Sequence, residues 1–433
     1  MRSPDDLTDY ASVQNYLFGL KAQGVKYGID RMRALAAEID HPERKVPVIH
    51  LAGTNGKGST AAMLDQILRQ AGHKVGLYTS PHLVRLGERV QVNREILSEA
   101  EIMAYTRELL PVAARLGQVS SDDHPSFFEF MTAMAFLQFA RMNCDIAVAE
   151  VGLGGELDAT NIVEPMVTAI TSIGFDHCEI LGHTHAEIAR AKAGIIKPEV
   201  PIVIGRMPSE AEDVIRKQAT ELQAPVLSVR ERYGDEMSHY PKTAPVGDCQ
   251  RWNAASASLV VEALGWGITL PQIESGLLSA HWPARWETIR VQDRSVIMDA
   301  SHNPEGAAEL RLNLARLQNG ARKGPIIVVG ALGLARAQPL IEAVAEFARV
   351  IHIVVPKQAR ACEFADIRDI IPSNFRGTVC ESEVETLFSD RGISKWSESE
   401  DTIVVTGSIY LAGEVMGFLR PQQGDIESHL QDF

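Results

Sequence analysis

The stretch Val46-Pro-Val-Ile-His-Leu-Ala-Gly-Thr-Asn-Gly-Lys-Gly-Ser-Thr60 constrains the fold more than any other part of this chain. It opens on an apolar run, Val46 to Leu51, that reads as a buried parallel strand. It turns through Gly53 to Ser59 and enters an amphipathic segment, Ser59 to Arg69, that reads as a helix. Strand, glycine-rich turn, Lys-x-Ser and helix are the outline of a phosphate-binding loop. Glycines let backbone N–H groups approach phosphate oxygens. Lys57 supplies a cation to the β/γ end of a triphosphate, and a Ser59 or Thr60 hydroxyl can face magnesium. The spacing is Gly53-x-x-Gly56-Lys57-Gly58-Ser59 rather than G-x-x-x-x-G-K-[ST], with one more glycine after the lysine. The bland alternative is a tight turn capped by Ser59. Lysine and hydroxyl between a strand and a helix favour an ATP-using enzyme.

A chain of 433 residues is too long for one ordinary core and fits two or three domains. The net charge of −14, with no basic cluster, argues against a nucleic-acid partner. Cys144, Cys178, Cys249, Cys362 and Cys380 lie far apart, which suits a reducing cytoplasm and offers no zinc framework. Met1 to Asp6 lacks the apolar core of a signal peptide, and Phe127 to Met142 is too short to span a bilayer and is interrupted by Glu129 and Arg141. A cytoplasmic protein with no membrane partner is the expectation.

Residues 5–45 read as helical with a break at Gly24 to Gly28. A second strand, Lys74 to Tyr78, runs into Thr79-Ser80-Pro81-His82, where the proline ends it. Leu83 to Asn93, charged around Gly87, reads as an exposed loop. Helices over 98–110 and 126–142 lead to a third strand, Asp145 to Glu150, ending in a carboxylate and a glycine-rich turn. In a parallel sheet ligands sit at the carboxyl ends of strands, so Glu150 stands where a phosphate-loop enzyme places its metal-facing acid; the alternative is a solvated rim residue. A fourth strand, Met166 to Ile173, ends at Gly174-Phe-Asp-His177, and further strand–helix units follow to Leu222. Residues 223–248 are polar, with room for a small β excursion. Helices over 252–264 and from Pro271 follow, and His281 to Trp286 reads as a linker. Beyond it strands at 296–299, 325–329, 350–355 and 402–406 alternate with helices, one of them from Pro339 to Ala348. The expectation is α/β: a phosphate-loop domain over 1–286 with an open, mostly parallel sheet, and a smaller Rossmann-like α/β domain over 287–433.

Gly53 to Ser59, Ser80-Pro-His-Leu83, Glu150-Val-Gly-Leu-Gly-Gly155, Leu157-Asp-Ala-Thr-Asn161, Asp176-His177, Lys192-Ala-Gly-Ile-Ile-Lys-Pro198 and His302-Asn-Pro304 stand in one order. In that order they resemble the folylpolyglutamate synthase / dihydrofolate synthase family within the Mur ligase superfamily. The resemblance implies ATP and Mg²⁺ as cofactors, and dihydropteroate or a folate and L-glutamate as substrates joined through an acyl phosphate. It also implies roles. Asn55, Gly56, Lys57, Gly58 and Ser59 would hold the triphosphate. Ser80, Glu150 and His177 would be metal ligands, together with Lys192 as a carbamate. Asn253 would read adenine and Arg285 the phosphates, while Asp299 and His302 would close on nucleotide and glutamate. The catalytic set implied is Lys57, His177, Lys192 and His302. Gly28, Ile29, Asp30 and Arg31, Ser126, Phe127, Phe128 and Glu129, and Leu157, Asp158 and Ala159 would hold the pterin. Read without the resemblance, His177 is more often a capping or core histidine, Lys192 a helix-surface lysine, and Phe127 and Phe128 core aromatics.

The chain departs from the family where Asp-Lys-Asp is expected, with Leu334-Ala-Arg336, and where Pro-Gly-Arg is expected, with Pro283-Ala-Arg285. The first departure puts the amine substrate in question more than ATP binding. A Mur-type ligase with another acceptor and a phosphate-loop regulatory NTPase are the alternatives. A monomer is the expectation for assembly.

Overall fold

The structure is a computed structural model and describes residues 7–21, 28–319, 323–389, 392–393 and 396–420. Most of the expected break at Gly24 to Gly28 therefore lies outside the described residues; Gly28 precedes the helix Asp30–Glu38.

Eight strands form the first sheet: β1 (Val48–Ala52), β2 (Val75–Tyr78), β3 (Val90–Val92), β4 (Glu95–Ile96), β5 (Ile146–Glu150), β6 (Val167–Ile170), β7 (Ile202–Ile204) and β8 (Val226–Ser228). Their order is β4-β3-β2-β5-β1-β6-β7-β8, and every pair from β2 to β8 is parallel. β1 and β5 are buried along their whole length, as near-continuous apolar strands in the middle of a parallel sheet must be. Alternation splits β1 between two cores. Val48 packs among the helices Tyr10–Lys21, Glu99–Val119 and Phe127–Arg141, whereas Ile49 and Leu51 pack against Lys57–Gln70 and Asp248–Leu264. Because the strands are parallel, Ala52, Tyr78, Glu150 and Ile170 all end at one sheet edge, which the phosphate loop crosses at its centre.

The second sheet has β9 (Arg285–Val291), β10 (Arg294–Asp299), β11 (Ile326–Val329), β12 (Val350–Ile353) and β13 (Thr378–Glu381). A two-stranded ribbon, β14 (Phe388–Ser389) and β15 (Gly392–Ile393), stands apart, and β16 (Thr402–Thr406) completes the sheet. The order is β13-β12-β11-β16-β10-β9, parallel except for the β9–β10 hairpin. The open, mostly parallel α/β architecture expected from the strand–helix rhythm is present in both sheets.

Three local readings are corrected. Leu83 to Asn93 is not an exposed loop: Leu86–Arg89 forms a short 3₁₀ turn and β3 pairs antiparallel with β2. Arg89 is wholly buried, its Nε 2.8 Å from His82 Nδ1 and its guanidinium 5.1 Å from the Phe127 ring, while Glu88 accepts the N–H groups of Leu83, Val84 and Arg85. The charges misled because they are partnered inside rather than solvated. Arg285 to Trp286, read as linker, opens the edge strand β9. The helix placed at Pro339 to Ala348 runs Leu334–Ala345, with Pro339 inside it.

His50, in the middle of β1, shows what the buried sheet costs. Its Nε2 lies 2.8 Å from the Thr160 hydroxyl, and its Nδ1 is buried without a partner. Burial, helped by Lys197, pushes its pKa down to about 3. The unfolded chain therefore takes up this proton first as pH falls, and stability is lost between about 6.5 and 3. A loss of about 2 kcal/mol is expected by about pH 5, flattened in His50→Gln, as urea unfolding at the two ends of that interval would measure.

Candidate active site

At the end of β1 the chain turns through Gly56, whose φ of 87° is the left-handed conformation that favours glycine. A Cβ there would stand 2.3 Å from Asn253 Oδ1, so Asn253 of the helix Asp248–Leu264 lies directly on the loop. The additional glycine, Gly58, has a similar origin. The Trp282 indole sits where its Cβ would point, 2.9 Å from Nε1, and is held there by Arg94, whose guanidinium lies 5.3 Å from the ring. Thr171 and Ser172, just past β6, brace the loop: Asn55 N–H donates to Ser172 Oγ at 2.9 Å, and Asn55 O accepts from Thr171 Oγ1 at 2.6 Å.

No side chain caps the helix Lys57–Gln70, so its first-turn N–H groups, which have no helical acceptor, face the cleft. Thr60 Oγ1 is buried without a hydrogen-bond partner. Lys57 Nζ folds back on the loop, donating to Gly53 O at 3.0 Å and Thr54 O at 3.4 Å. Uncapped amides, a helix dipole and a lysine at one glycine turn fit a triphosphate.

Beside them, Glu150 is buried at the end of β5. Its Oε1 lies 3.8 Å from Lys57 Nζ, and its Oε2 accepts the Ser80 N–H at 3.4 Å. His177 follows Asp176, with φ of 50° and its N–H donated to Asp176 Oδ1 at 2.9 Å. Burial pushes the His177 ring down to about 4; Asp176 opposes this and Arg336, Lys57 and Lys192 add to it. The imidazole is neutral at pH 7 and carries a lone pair. Lys192 is buried in the last turn of the helix His185–Ala193 and donates to the same Gly53 carbonyl at 3.1 Å. Burial first, then Lys57, pushes its amine down to about 7. One carboxylate, one neutral imidazole and a hydroxyl fit a hard divalent cation whose remaining positions are filled by phosphate and water. Among the described residues no group of three or more His, Cys, Asp or Glu side chains makes a self-sufficient cage.

The second sheet closes the cleft. Arg285 opposes Asp299 across the β9–β10 hairpin at a register shift. Asp299 accepts the Ser301 N–H at 3.0 Å, and His302 Nε2 lies 3.6 Å from Asp176 Oδ2. Asn303 and Asn55 exchange amide hydrogen bonds at 3.0 and 3.3 Å, and Asn303 Nδ2 also reaches Asp176 at 3.4 Å. Two cavities of about 150 and 280 Å³ meet here. The first takes in Lys57, Ser80, Glu150, His177 and Lys192; the second takes in Asn253 and Asp299; both reach Asn55, Gly56, Ser59, Arg285 and His302.

The Mur ligase middle domain family model matches residues 51–236, and the Mur ligase, glutamate ligase domain model matches 284–409. The dihydrofolate synthase/folylpolyglutamate synthase of Bacillus subtilis (strain 168) is 34% identical over 434 residues, spanning 94% of this chain and 98% of the relative. The chain belongs to the dihydrofolate synthase/folylpolyglutamate synthase family. The Escherichia coli (strain K12) dihydrofolate synthase/folylpolyglutamate synthase is 30% identical across 96% of each chain. Among solved structures, the Thermotoga maritima folylpolyglutamate synthase superposes with a TM-score of 0.83 at 31% identity, covering 97% of this chain and 98% of that one. E. coli FolC in complex with DHPP and ADP gives 0.82 at 28% identity, covering 98% and 100%. As a member of this family the chain is an ATP-dependent ligase with the Mur ligase fold.

The three segments expected to hold the pterin come together in one corner. Gly28 to Arg31 lead into Asp30–Glu38, Ser126 to Glu129 open Phe127–Arg141, and Leu157 to Ala159 enter the turn Ala159–Ile162. Arg31 Nε is 3.3 Å from Glu129, whose carboxylate also accepts the Ser126 N–H at 2.7 Å. Phe127 is core, Ile29 is buried and Leu157 is exposed. Asp158 is turned inward, accepting the Leu153 and Thr160 N–H groups at 2.9 Å each. Phe128 lies on Gly152, which lines the cleft, so this corner adjoins the phosphate loop. Ser408, Tyr410 and Trp282 were missed from the sequence. Ser408 and Tyr410 line the cleft just after the apolar run of β16, and a polar residue at a parallel strand's carboxyl end is the signal that was available.

Proposed function

We propose that this chain joins L-glutamate to dihydropteroate and extends folates by further glutamyl units, using ATP and Mg²⁺. The observation that carries the reading is the convergence of Lys57, Glu150, His177 and Lys192 on one cleft, beside the corner where residues 28–31, 126–129 and 157–159 meet. In this reading residues 1–286 bind ATP and pterin, and residues 287–433 bring in the amine. The substrate carboxylate attacks the γ-phosphorus, breaks its bond to the β-phosphate oxygen, and forms an acyl phosphate with release of ADP. The glutamate amine then adds to the acyl carbon, and the tetrahedral intermediate expels phosphate.

Asn55 to Ser59 hold the phosphates with backbone N–H groups, and Lys57 and Arg285 oppose charge as it gathers on the transferring group. Asn253 reads the base. Ser80, Glu150, His177 and a carbamate on Lys192 would hold magnesium, and the charge neutralisation it would supply at the phosphates is complemented by Lys57 and Arg285. Asp299 and His302 close from the second sheet, and that closure keeps water from the acyl phosphate. The partners are small molecules alone, and the protein acts as a cytoplasmic monomer. Among the described residues no helix is long and apolar enough to cross a membrane.

Phosphate release from ATP is to be measured with and without L-glutamate, first on dihydropteroate and then on tetrahydrofolate, with product masses recorded. Glutamate-dependent release with one added glutamyl unit on dihydropteroate, and more on tetrahydrofolate, is the expected result. Turnover that needs a different carboxylate or amine would leave a Mur-type ligase of another specificity. Hydrolysis indifferent to any amine would leave a regulatory NTPase.

A further inference from the structure

We propose that Arg336 is a positioning residue for the ligase reaction: carried by the second sheet's unit, it grips Asp176 on the rim of the phosphate-loop cleft, holds the two units together there and fixes the peptide that carries His177. The inference rests on the ligase reading above.

Arg336 lies in the segment where the family's Asp-Lys-Asp is replaced by Leu-Ala-Arg. It sits in the first turn of the helix Leu334–Ala345, which no side chain caps. A cation is unfavourable at a helix N-terminus, so Arg336 does not serve its own helix. Its guanidinium instead crosses to the other unit and donates to Asp176 Oδ1 at 2.6 Å. Exposed ion pairs contribute little, but here Asp176 is 9% exposed and Arg336 29%, with both lining the cleft.

What Asp176 does with its other contacts gives the pair its consequence. The oxygen that Arg336 holds also accepts the His177 N–H, and His177 stands in a left-handed conformation that a non-glycine residue keeps only when its surroundings impose it. The second oxygen faces His302 and Asn303, and Asn303 in turn holds Asn55 of the phosphate loop. One buried carboxylate thus ties the metal-side histidine, the phosphate loop and two segments of the second unit. Arg336 supplies a cation from the second unit that pairs directly with that buried carboxylate. An alanine at 336 would leave Asp176 with the His177 N–H, His302 and Asn303 and free the rim to shift, and a displacement of about 1 Å at reacting groups costs about 10²-fold in rate.

The test compares Arg336→Ala, Arg336→Lys, Asp176→Asn and the double variant Arg336→Ala/Asp176→Asn. Arg336→Ala is expected to lower kcat by about 10- to 100-fold, with the affinity for a non-hydrolysable ATP analogue held within about threefold. Arg336→Lys should recover part of the rate, and added guanidinium ion should restore part in Arg336→Ala. Added to Asp176→Asn, Arg336→Ala should cost less than about a further twofold, because the carboxylate that Arg336 grips is already gone. Small-angle scattering of the nucleotide-free protein should show a larger radius of gyration for Arg336→Ala than for the wild type. Wild-type kcat in Arg336→Ala, multiplying effects in the double variant, or an unchanged radius would overturn the proposal. Failure of the wild type to use any pterin would overturn the substrate reading and not this one, because the scattering comparison still decides it.

Discussion

Lys192→Ala is expected to lower kcat for glutamate addition by about 10²- to 10³-fold, with smaller changes in KM, and acetate is expected to restore part of the rate. The side chain is buried within reach of Lys57, and both ammonium groups donate to the Gly53 carbonyl. Burial first, and then the neighbouring Lys57 charge, push the Lys192 amine down to about 7. A free amine at neutral pH is the form that adds carbon dioxide. A carbamate formed there would turn +1 into −1 and would offer oxygens to a metal in the cleft. Alanine vacates the space, which acetate can enter with a carboxylate of the same charge. Lys192→Arg separates this account from a need for positive charge: arginine keeps the charge, cannot become a carbamate at pH 7, and should be as impaired as alanine without acetate rescue. Labelled bicarbonate observed by carbon NMR reads the modification itself. An arginine variant with wild-type turnover would sink the carbamate assignment.

The phosphate loop was legible because everything that defines it is local: an apolar strand, glycines where the backbone must turn, a lysine and a hydroxyl, then a helix. The convergence of Ser80, Glu150 and His177 was legible at one remove, because carboxyl ends of parallel strands share an edge once the sheet is known to be parallel. What failed was wherever burial of charge broke the usual correlation. Arg89 and Glu88 look solvated in the sequence, yet one is packed between His82 and Phe127 and the other caps three backbone N–H groups. Only the start of β9, Arg285 to Trp286, was read as linker, because Trp-Pro-Ala-Arg carries turn chemistry up to the residue where pairing starts. The Arg336–Asp176 contact joins residues 160 positions apart, and no local pattern announces it. The resemblance to the family marked Arg336 as a departure, and only the packing of the second sheet against the first gives that departure a partner.

Glu150→Gln is expected to raise the magnesium concentration for half-maximal turnover by at least about tenfold while changing the stability of the nucleotide-free protein by less than about 1 kcal/mol. A strand-end glutamate is as often a rim residue as a metal ligand, and the two roles separate here because the electrostatic and structural contributions of Glu150 differ. Structurally, glutamine keeps the length and one carbonyl oxygen, which can still accept the Ser80 N–H. Removing one member of a fully buried ion pair costs about 3–5 kcal/mol, which would mask any metal effect. That cost does not apply, because Lys57 stands 3.8 Å from Glu150 and already donates to the carbonyls of Gly53 and Thr54. Its charge therefore stays partnered when the carboxylate is gone. What glutamine loses is the negative charge that faces the cleft, and a divalent cation held by one carboxylate, one neutral imidazole and phosphate oxygens is sensitive to that loss. Initial rates against magnesium at fixed ATP, alongside thermal unfolding of the same preparation, measure both quantities. A glutamine variant with an unshifted magnesium requirement would return Glu150 to the rim and leave the metal to the nucleotide, His177 and Lys192.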